Sequence, residues 1–483
     1  MKRRKNLGRI ARIAAAALCF AAVVGSVLFP DRLRGIFLTQ AGSDLLALTA
    51  EFTFGAAAAL AGVLLMTLIA GRLYCSTVCP LGILQDLLGW LRFRKYRNTP
   101  WKRKVRGPVF WLVAGAAACG FLLPLTFLLP SANFVLIVNS VLRPFLPEPV
   151  ALTPVPAARV AGWAVLLALL ALAQWNGRIF CNTLCPVGAV LSAAARPAYF
   201  RVAIDGEACV HCGACERACK AGCIDARAGV VRHDECVMCL NCLGVCPKNA
   251  IGLRHVPPEK AAFRADRRVF LAEGAAAVAG LTLGGAAKRL PGSTKAPAPI
   301  MPPGAVSRDR FAAHCVGCGL CIGACSGKVL KASVTEYGLR GFMQPVLDPY
   351  RGACDFSCNR CSQVCPCGAL RPLTLAEKRT TRIGLAHWTA SRCVAYDAEE
   401  DCGACAEHCP VGALEMVELP GKAALVPKVN EALCIGCGAC QNICPIRPEA
   451  AIVVRGVERQ VRVEPPKAAA PEKPLQAEED FPF

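Results

Sequence analysis

The sequence predicts a membrane-embedded α-helical half followed by small, cysteine-rich α+β modules. Three observations carry that expectation. Five apolar segments, at 13–29, 52–70, 109–129, 158–175 and 269–287, approach the ~20 residues that a bilayer span requires. Cationic residues gather at the ends of several of these segments. The 32 cysteines fall into repeated, closely spaced runs. Hydrophobic residues make up 54% of the 483, which suits a chain partly buried in lipid.

The charge flanks orient the helices. Residues 2–12 hold Lys2, Arg3, Arg4, Lys5, Arg9 and Arg12 with no acid, and residues 92–106 are equally basic, again without an acid. The segments 30–51 and 130–157 are poor in basic residues and read as loops on the other face. The positive-inside rule then places the N-terminus and the 92–106 loop in the cytoplasm, and four helices return the chain there near residue 176. The formal charge of +21 is therefore a topology signal, and no nucleic-acid surface is expected.

The fifth apolar run opens on Arg267-Arg268 and continues to Ala287. A twin arginine ahead of a mildly hydrophobic run reads as a Tat-type export signal, a route that carries folded, cofactor-loaded domains. A plain fifth helix, or a surface helix with a chance arginine pair, is the alternative. The expected organisation is a four-helix membrane domain over 1–199 and a cytoplasmic module over 200–255. A twin-arginine segment (264–289) and a Pro/Ala-rich linker (290–307) follow. A periplasmic cysteine-rich domain (308–455) and a disordered tail (456–483) complete it.

Six cysteine runs start at Cys209, Cys236, Cys315, Cys354, Cys402 and Cys434. Cys236, Cys239, Cys242 and Cys246-Pro247 fit C-x2-C-x2-C-x3-C-P in full, as do Cys434, Cys437, Cys440 and Cys444-Pro445. Three closely spaced thiolates wrap three corners of one [4Fe-4S] cubane, and the fourth reaches the neighbouring cluster. The modules are therefore expected to be ferredoxin-like and iron–sulfur in chemistry, and the function electron transfer. A disulfide scaffold fits poorly, because such scaffolds are mostly small secreted chains. Zinc fits poorly too, because its C-x2-C pairs stand a dozen or more residues apart.

In the first module, the two-cluster rule groups Cys209, Cys212 and Cys215 with Cys246, and Cys236, Cys239 and Cys242 with Cys219. Lys220 follows Cys219 where proline is usual, and Cys223 is left over as a packing residue. The second domain has Cys315, Cys318, Cys321 and Cys325, then Cys354, Cys358, Cys361 and Cys365 with one widened spacing. Cys402, Cys405 and Cys409 follow with Cys393 as a distant fourth member, and Cys434, Cys437, Cys440 and Cys444 close the set, leaving Cys367 spare. That is enough for four cubanes here and six [4Fe-4S] clusters in all. Similarity of spacing suggests that the first run pairs with the fourth and the second with the third. Six oxidised cubanes with their thiolates would offset on the order of 12 of the formal positive charges.

A rarer repeat lies in the helical half. Gly71-Arg72-Leu73-Tyr74-Cys75-Ser76-Thr77-Val78-Cys79-Pro80-Leu81-Gly82 recurs as Gly177-Arg178-Ile179-Phe180-Cys181-Asn182-Thr183-Leu184-Cys185-Pro186-Val187-Gly188. Each copy directly follows an inward-going helix, and the repetition implies two equivalent roles. The thiols of Cys75, Cys79, Cys181 and Cys185 either hold a further cluster or metal, which thiolate groups favour, or are structural thiols at helix ends. Cys19 and Cys119 read as packing residues. Gln85, Asp86, Gln174 and Asn176 read as interfacial, and no clear quinone pocket is visible. None of the six histidines falls in a span, so a haem held by paired membrane histidines is not expected. Neither C-x-x-C-H nor a G-x-G-x-x-G after a strand occurs, so a c-type haem and a Rossmann domain are not expected either. His211 and His408, inside cysteine runs, read as surface residues tuning a cluster.

The two G-R-x-[YF]-C-x3-C-P-[LV]-G copies, set on a four-helix unit ahead of a two-cluster module, resemble the NapH-type membrane ferredoxins. The twin-arginine segment and four-cluster domain resemble the NapG/MauM-type periplasmic ferredoxins. Here the two are fused, over most of residues 1–455. The resemblance implies an electron carrier of the bacterial inner membrane. It would connect the quinone pool with a periplasmic reductase or cytochrome, quinol being the donor, and have no substrate chemistry of its own. Related membrane ferredoxins act in maturation, so a maturation or redox-sensing role stays open, as does cleavage of the outer domain after export.

Overall fold

A computed structural model describes residues 2–29, 40–41, 54–91, 96, 99, 101–146, 156–255, 267–289 and 298–463. Six helices form its scaffold: α1 (Lys2–Leu28), α2 (Phe54–Ala70), α3 (Lys102–Ala118), α4 (Pro130–Ile137), α5 (Pro156–Asn176) and α6 (Arg267–Arg289). Two stretches, Leu7–Leu28 and Ala158–Asn176, are long and apolar enough to cross a bilayer, whereas Phe54–Ala70 and Leu271–Ala286 are apolar but shorter. These helices hint at membrane association.

The expected span at 109–129 is not one helix. α3 begins at Lys102, inside the expected basic loop, and ends at Ala118. Gly120 then takes φ +76°, and a short helix follows at Leu123–Leu128 before Pro130 opens α4. A left-handed glycine stops a helix, and each proline can only restart one. The stretch from 130, expected as a loop, is instead core: every residue of α4 is buried, and it continues into a π-turn at Val138–Leu142. Its apolar run Phe134-Val135-Leu136-Ile137-Val138 is too short to register as a span but long enough to fill an interior.

α3 and α6 run parallel in close contact. A Cβ on Gly280 would collide with Leu112 O, one on Gly284 would lie 2.9 Å from Ala116 O, and one on Gly115 would lie 2.7 Å from Ala277 O. Gly280 and Gly284 form a G-x3-G pair, the small-residue spacing that lets helix backbones approach in lipid. Cys119 closes this seam with Sγ 3.5 Å from Leu281 O.

The two cysteine-rich parts sit at opposite ends of the helices. The first part pairs strand Phe200–Ile204 with Ile251–His255 and packs at the N-terminal ends of α1 and α3. There Lys102 Nζ donates to Ala221 O at 2.8 Å, Arg106 pairs with Asp234 at 2.8 Å, and Leu240 lies beside Gly8. The second part pairs Leu330–Ala332 with Pro345–Leu347, Leu414–Val417 with Val426–Val429, and Thr381–Trp388 with Ile452–Arg462. It meets the other ends: Gly120 lies beside Ala313, and Arg143 Nη2 donates to both Gly323 O (2.9 Å) and Leu28 O (3.4 Å). From Gly8 to Leu28, α1 covers about 30 Å at ~1.5 Å per residue.

The expected linker is shorter than its composition suggests. Ile300 bridges to Leu347 and Met301 is 1% exposed, because this apolar pair completes the edge of the second part's core. Residues 456–462, expected within a disordered tail at 456–483, instead continue the strand Ile452–Arg462, which pairs with Thr381–Trp388. Residues 290–297, most of 30–51, and those from 464 lie outside the described residues.

Candidate iron–sulfur centres

In the standard cysteine runs the residues just before and after the second cysteine take the left-handed conformation. They are His211 and Gly213, Met238 and Leu240, Gly317 and Gly319, and Gly436 and Gly438. Those two turns fold three thiols around one point. Asn359 and Gly403, the corresponding residues of the two variant runs, have φ −127° and −112°, so these loops are built differently.

Three cavities show how the runs combine. One cavity is lined by Cys209, Cys212, Cys215 and Cys246, the set expected from the crossing rule. His211 lines it too, with Nδ1 2.8 Å from Ala226 O, and acts as part of the wall. His408 faces Ala404 O at 3.0 Å. A second cavity gathers Cys393, Cys402, Cys405 and Cys444. A third gathers Cys409, Cys434, Cys437 and Cys440. Each offers four thiols and no carboxylate, a soft donor set suited to iron–sulfur chemistry. Among the described residues no three His, Cys, Asp or Glu close around a single metal ion.

The remaining cysteines group by proximity. Cys239 and Cys242 are electrostatic neighbours of Cys219 and Cys236. Cys315, Cys318 and Cys321 share Cys365, while Cys354 and Cys361 share Cys325 and Cys358. The expected pairing of first with fourth and second with third run is thus corrected: first pairs with second, and third with fourth. Each pair joins one standard run to one variant run adjacent in sequence, which closes the shorter loop. The pairs are themselves joined, since Cys354 N donates to Cys437 O at 2.9 Å. That contact places the set containing Cys354 beside the set containing Cys437. The Cys315 set faces the helical unit: Cys318 and Leu320 pack into the same apolar core as Phe134, Val135 and Val138.

That core also contains Cys75, Cys79, Cys181 and Cys185, all buried and mutually within electrostatic range. The two repeats form one pseudo-twofold unit. Arg72 of the first copy donates to Cys181 O of the second at 2.9 Å, and Arg178 of the second donates to Cys75 O of the first at 2.7 Å. Both arginines are fully buried and also approach sulfur: Arg72 Nη2 is 4.0 Å from Cys75 Sγ, and Arg178 Nη1 is 3.9 Å from Cys181 Sγ. Gly82 and Gly188 are required by this crossing, because a Cβ at either would strike the carbonyl that the exchanged arginine holds.

Two residues read from sequence as interfacial belong to this centre. Gln85 Nε2 lies 3.3 Å from Cys181 Sγ. Asp86 receives Arg178 at 2.8 Å, Lys220 at 3.5 Å and Arg12 at 3.8 Å. Burial alone would raise the Asp86 carboxyl, but these cations hold it below the usual carboxylate range. Gln174 and Asn176 lie outside the centre, donating to Leu88 O and Thr99 Oγ1. Sequence offered no signal for Asp86 beyond its charge in an apolar helix.

Paired four-thiol cavities on small α+β modules define the class: a ferredoxin-type iron–sulfur electron carrier. The comparisons agree. A family model described as a 4Fe-4S binding domain matches residues 52–98 and 156–202, and a 4Fe-4S dicluster domain matches 400–447. The methylamine utilization ferredoxin-type protein MauM of Paracoccus denitrificans is 32% identical over 191 residues, 38% of this chain and 84% of its own length. The ferredoxin-type protein NapG of Escherichia coli is 31% identical over 163 residues, 31% of this chain and 68% of its own. An uncharacterized protein of Methanocaldococcus jannaschii, MJ0749, is 27% identical over 39% of this chain, which spans 66% of that relative. No solved structure matches. The chain belongs to the ferredoxin-type iron–sulfur proteins that include MauM and NapG.

Proposed function

We propose that this protein is a membrane-bound electron carrier that fuses a NapH-like membrane ferredoxin to a NapG/MauM-like periplasmic one. It links the quinone pool to a periplasmic reductase or cytochrome. The observation that carries this reading is the placement of two cysteine-rich parts at opposite ends of one helical unit, with a buried four-thiol centre between them. The ~30 Å covered by α1 equals the thickness of a bilayer's hydrocarbon core.

In this reading six [4Fe-4S] clusters are held by six sets. The cytoplasmic sets are Cys209/Cys212/Cys215/Cys246 and Cys219/Cys236/Cys239/Cys242. The periplasmic sets are Cys315/Cys318/Cys321/Cys365, Cys325/Cys354/Cys358/Cys361, Cys409/Cys434/Cys437/Cys440 and Cys393/Cys402/Cys405/Cys444. Cys75, Cys79, Cys181 and Cys185 hold a seventh centre. These are the only cysteines in the two segments matched by the 4Fe-4S binding domain, two in each, so only their union supplies four ligands. Arg72 and Arg178 suit an anionic cluster there. The α6 helix, seated along α3, suits a retained anchor that carries the chain to the outer face. The basic flanks orient the first module toward the cytoplasm.

The test is reconstitution of the full chain in liposomes with a reduced quinol analogue. Bleaching of the cluster absorbance within seconds is expected, and its absence refutes the quinol link. Iron counting in Cys75→Ser tests the seventh centre: unchanged iron and spectra refute it.

A further inference from the structure

Four cysteines lie outside the seven sets: Cys19 and Cys119 on the helices, and Cys223 and Cys367 in the ferredoxin parts. The last two share a placement. Cys223 Sγ is 3.5 Å from Cys219 Sγ, and Cys367 Sγ is 3.8 Å from Cys365 Sγ. Cys219 and Cys365 are each the crossing cysteine of their set, the one supplied by the neighbouring run. Cys223 also contacts Cys236 of the same set, and Cys367 lies within electrostatic range of Cys315 and Cys318. Both are all but fully buried, at 1% and 2% exposure, so neither is placed to meet a soluble partner.

The sets they serve are the two that face the helical unit. Cys219, Cys239 and Cys242 share the core of the four-thiol centre, and Cys318 packs against it from the other end. Among the described residues no spare cysteine accompanies any of the other four cubane sets of the ferredoxin parts.

We propose that Cys223 and Cys367 are thiol hydrogen-bond donors to the ligand sulfurs of the two cubanes nearest the helical unit, and that they raise the reduction potentials of those two clusters. This rests on the ligand sets given above. One-electron reduction adds negative charge that is shared with the thiolate sulfurs. A donor aimed at such a sulfur stabilises the reduced form more than the oxidised form, and cluster potential is tuned by such bonds. Sulfhydryl is a weak donor, but a buried one has no water to compete with it. The consequence is a matched pair of higher-potential stations on either side of the buried centre.

The test uses the anaerobically purified full chain, with iron and sulfide counted per chain and each cluster followed by redox titration with paramagnetic resonance. Cys223→Ala and Cys367→Ala are expected to retain full iron and to shift one cluster each to lower potential, leaving the others unmoved. Cys223→Ser and Cys367→Ser, which keep a donor, are expected to restore part of the shift and serve if an alanine variant fails to fold. Full iron with unmoved potentials in all variants overturns the inference. Loss of one cubane's iron in an alanine variant also overturns it, because the thiol is then a ligand. Cys219→Ala and Cys365→Ala separate this failure from failure of the ligand sets: if they keep full iron, the sets themselves are wrong.

Discussion

Replacing Gly82 by alanine tests the exchanged-arginine geometry directly. Gly82 lies within the helix Pro80–Trp90, where Gly→Ala would ordinarily gain roughly 1 kcal/mol from helix propensity. Here the new Cβ would strike Cys75 O and lie 2.5 Å from Arg178 Nη1. Neither can step aside: Cys75 O is held by Arg178 at 2.7 Å, and Arg178 is held by Asp86 at 2.8 Å. Overpacking of this kind costs about 1–3 kcal/mol, so the propensity gain is cancelled and the net change is a loss of up to about 2 kcal/mol. Gly188→Ala should behave alike, because its Cβ would strike Cys181 O and lie 3.0 Å from Arg72 Nη2. Gly62→Ala is the control, a helical glycine whose Cβ would meet nothing within 4 Å. The assay is the temperature at which the detergent-solubilised full chain loses its folded form, with iron counted in parallel. A midpoint in Gly82→Ala at or above wild type, with full iron, would refute the pseudo-twofold crossing.

Three further outcomes are expected. Cys444→Ser should abolish the cluster proposed for Cys393, Cys402 and Cys405 while sparing the one for Cys434, Cys437 and Cys440, with iron falling by one cubane in resonance and metal analysis. Asp86→Asn should leave the fully buried Arg178 without its carboxylate, at about 3–5 kcal/mol for a broken buried pair, tempered because Arg178 keeps Cys75 O; thermal midpoint and folded yield report it. Glu336 should make the second cysteine-rich part sensitive to acid. Although burial raises its carboxyl, the backbone N–H groups of Val334 and Thr335 and the Lys331 ammonium at 3.1 Å bring it down to about 2. Its folded value lies below its unfolded one, so its stabilisation is complete above the unfolded value and fades as pH falls toward 2. The gap in urea midpoint between wild type and Glu336→Gln should therefore narrow between pH 5 and pH 3.

Spacing alone was enough to group Cys209, Cys212 and Cys215 with Cys246, because two consecutive runs on one short module leave a single crossing. It was not enough in the second cysteine-rich part. Four runs allow several pairings, and similarity of spacing pointed the wrong way, since each pair mates a standard loop with a variant one. The span at 109–129 failed for another reason. Hydropathy averages over Gly120 and Pro124, whereas the backbone responds to each of them. The buried α4 was missed because an eight-residue helix that begins with Pro130 and carries Ser131 and Asn133 lacks the length and the unbroken apolar run that mark a span.

The amino-acid sequence by itself determined the chemistry, because thiol spacing and left-handed turns are local and sit within a few residues of one another. It also determined the existence of two equivalent C-x3-C-P motifs. Only the tertiary structure decided that these motifs, about a hundred residues apart, close into one buried centre by exchanging arginines. It alone placed Asp86 and Gln85 in that centre and decided how the four later cysteine runs pair. Such features depend on which backbone carbonyl a guanidinium reaches across a helix interface. No periodicity or spacing encodes that, and it is settled only when distant segments pack together.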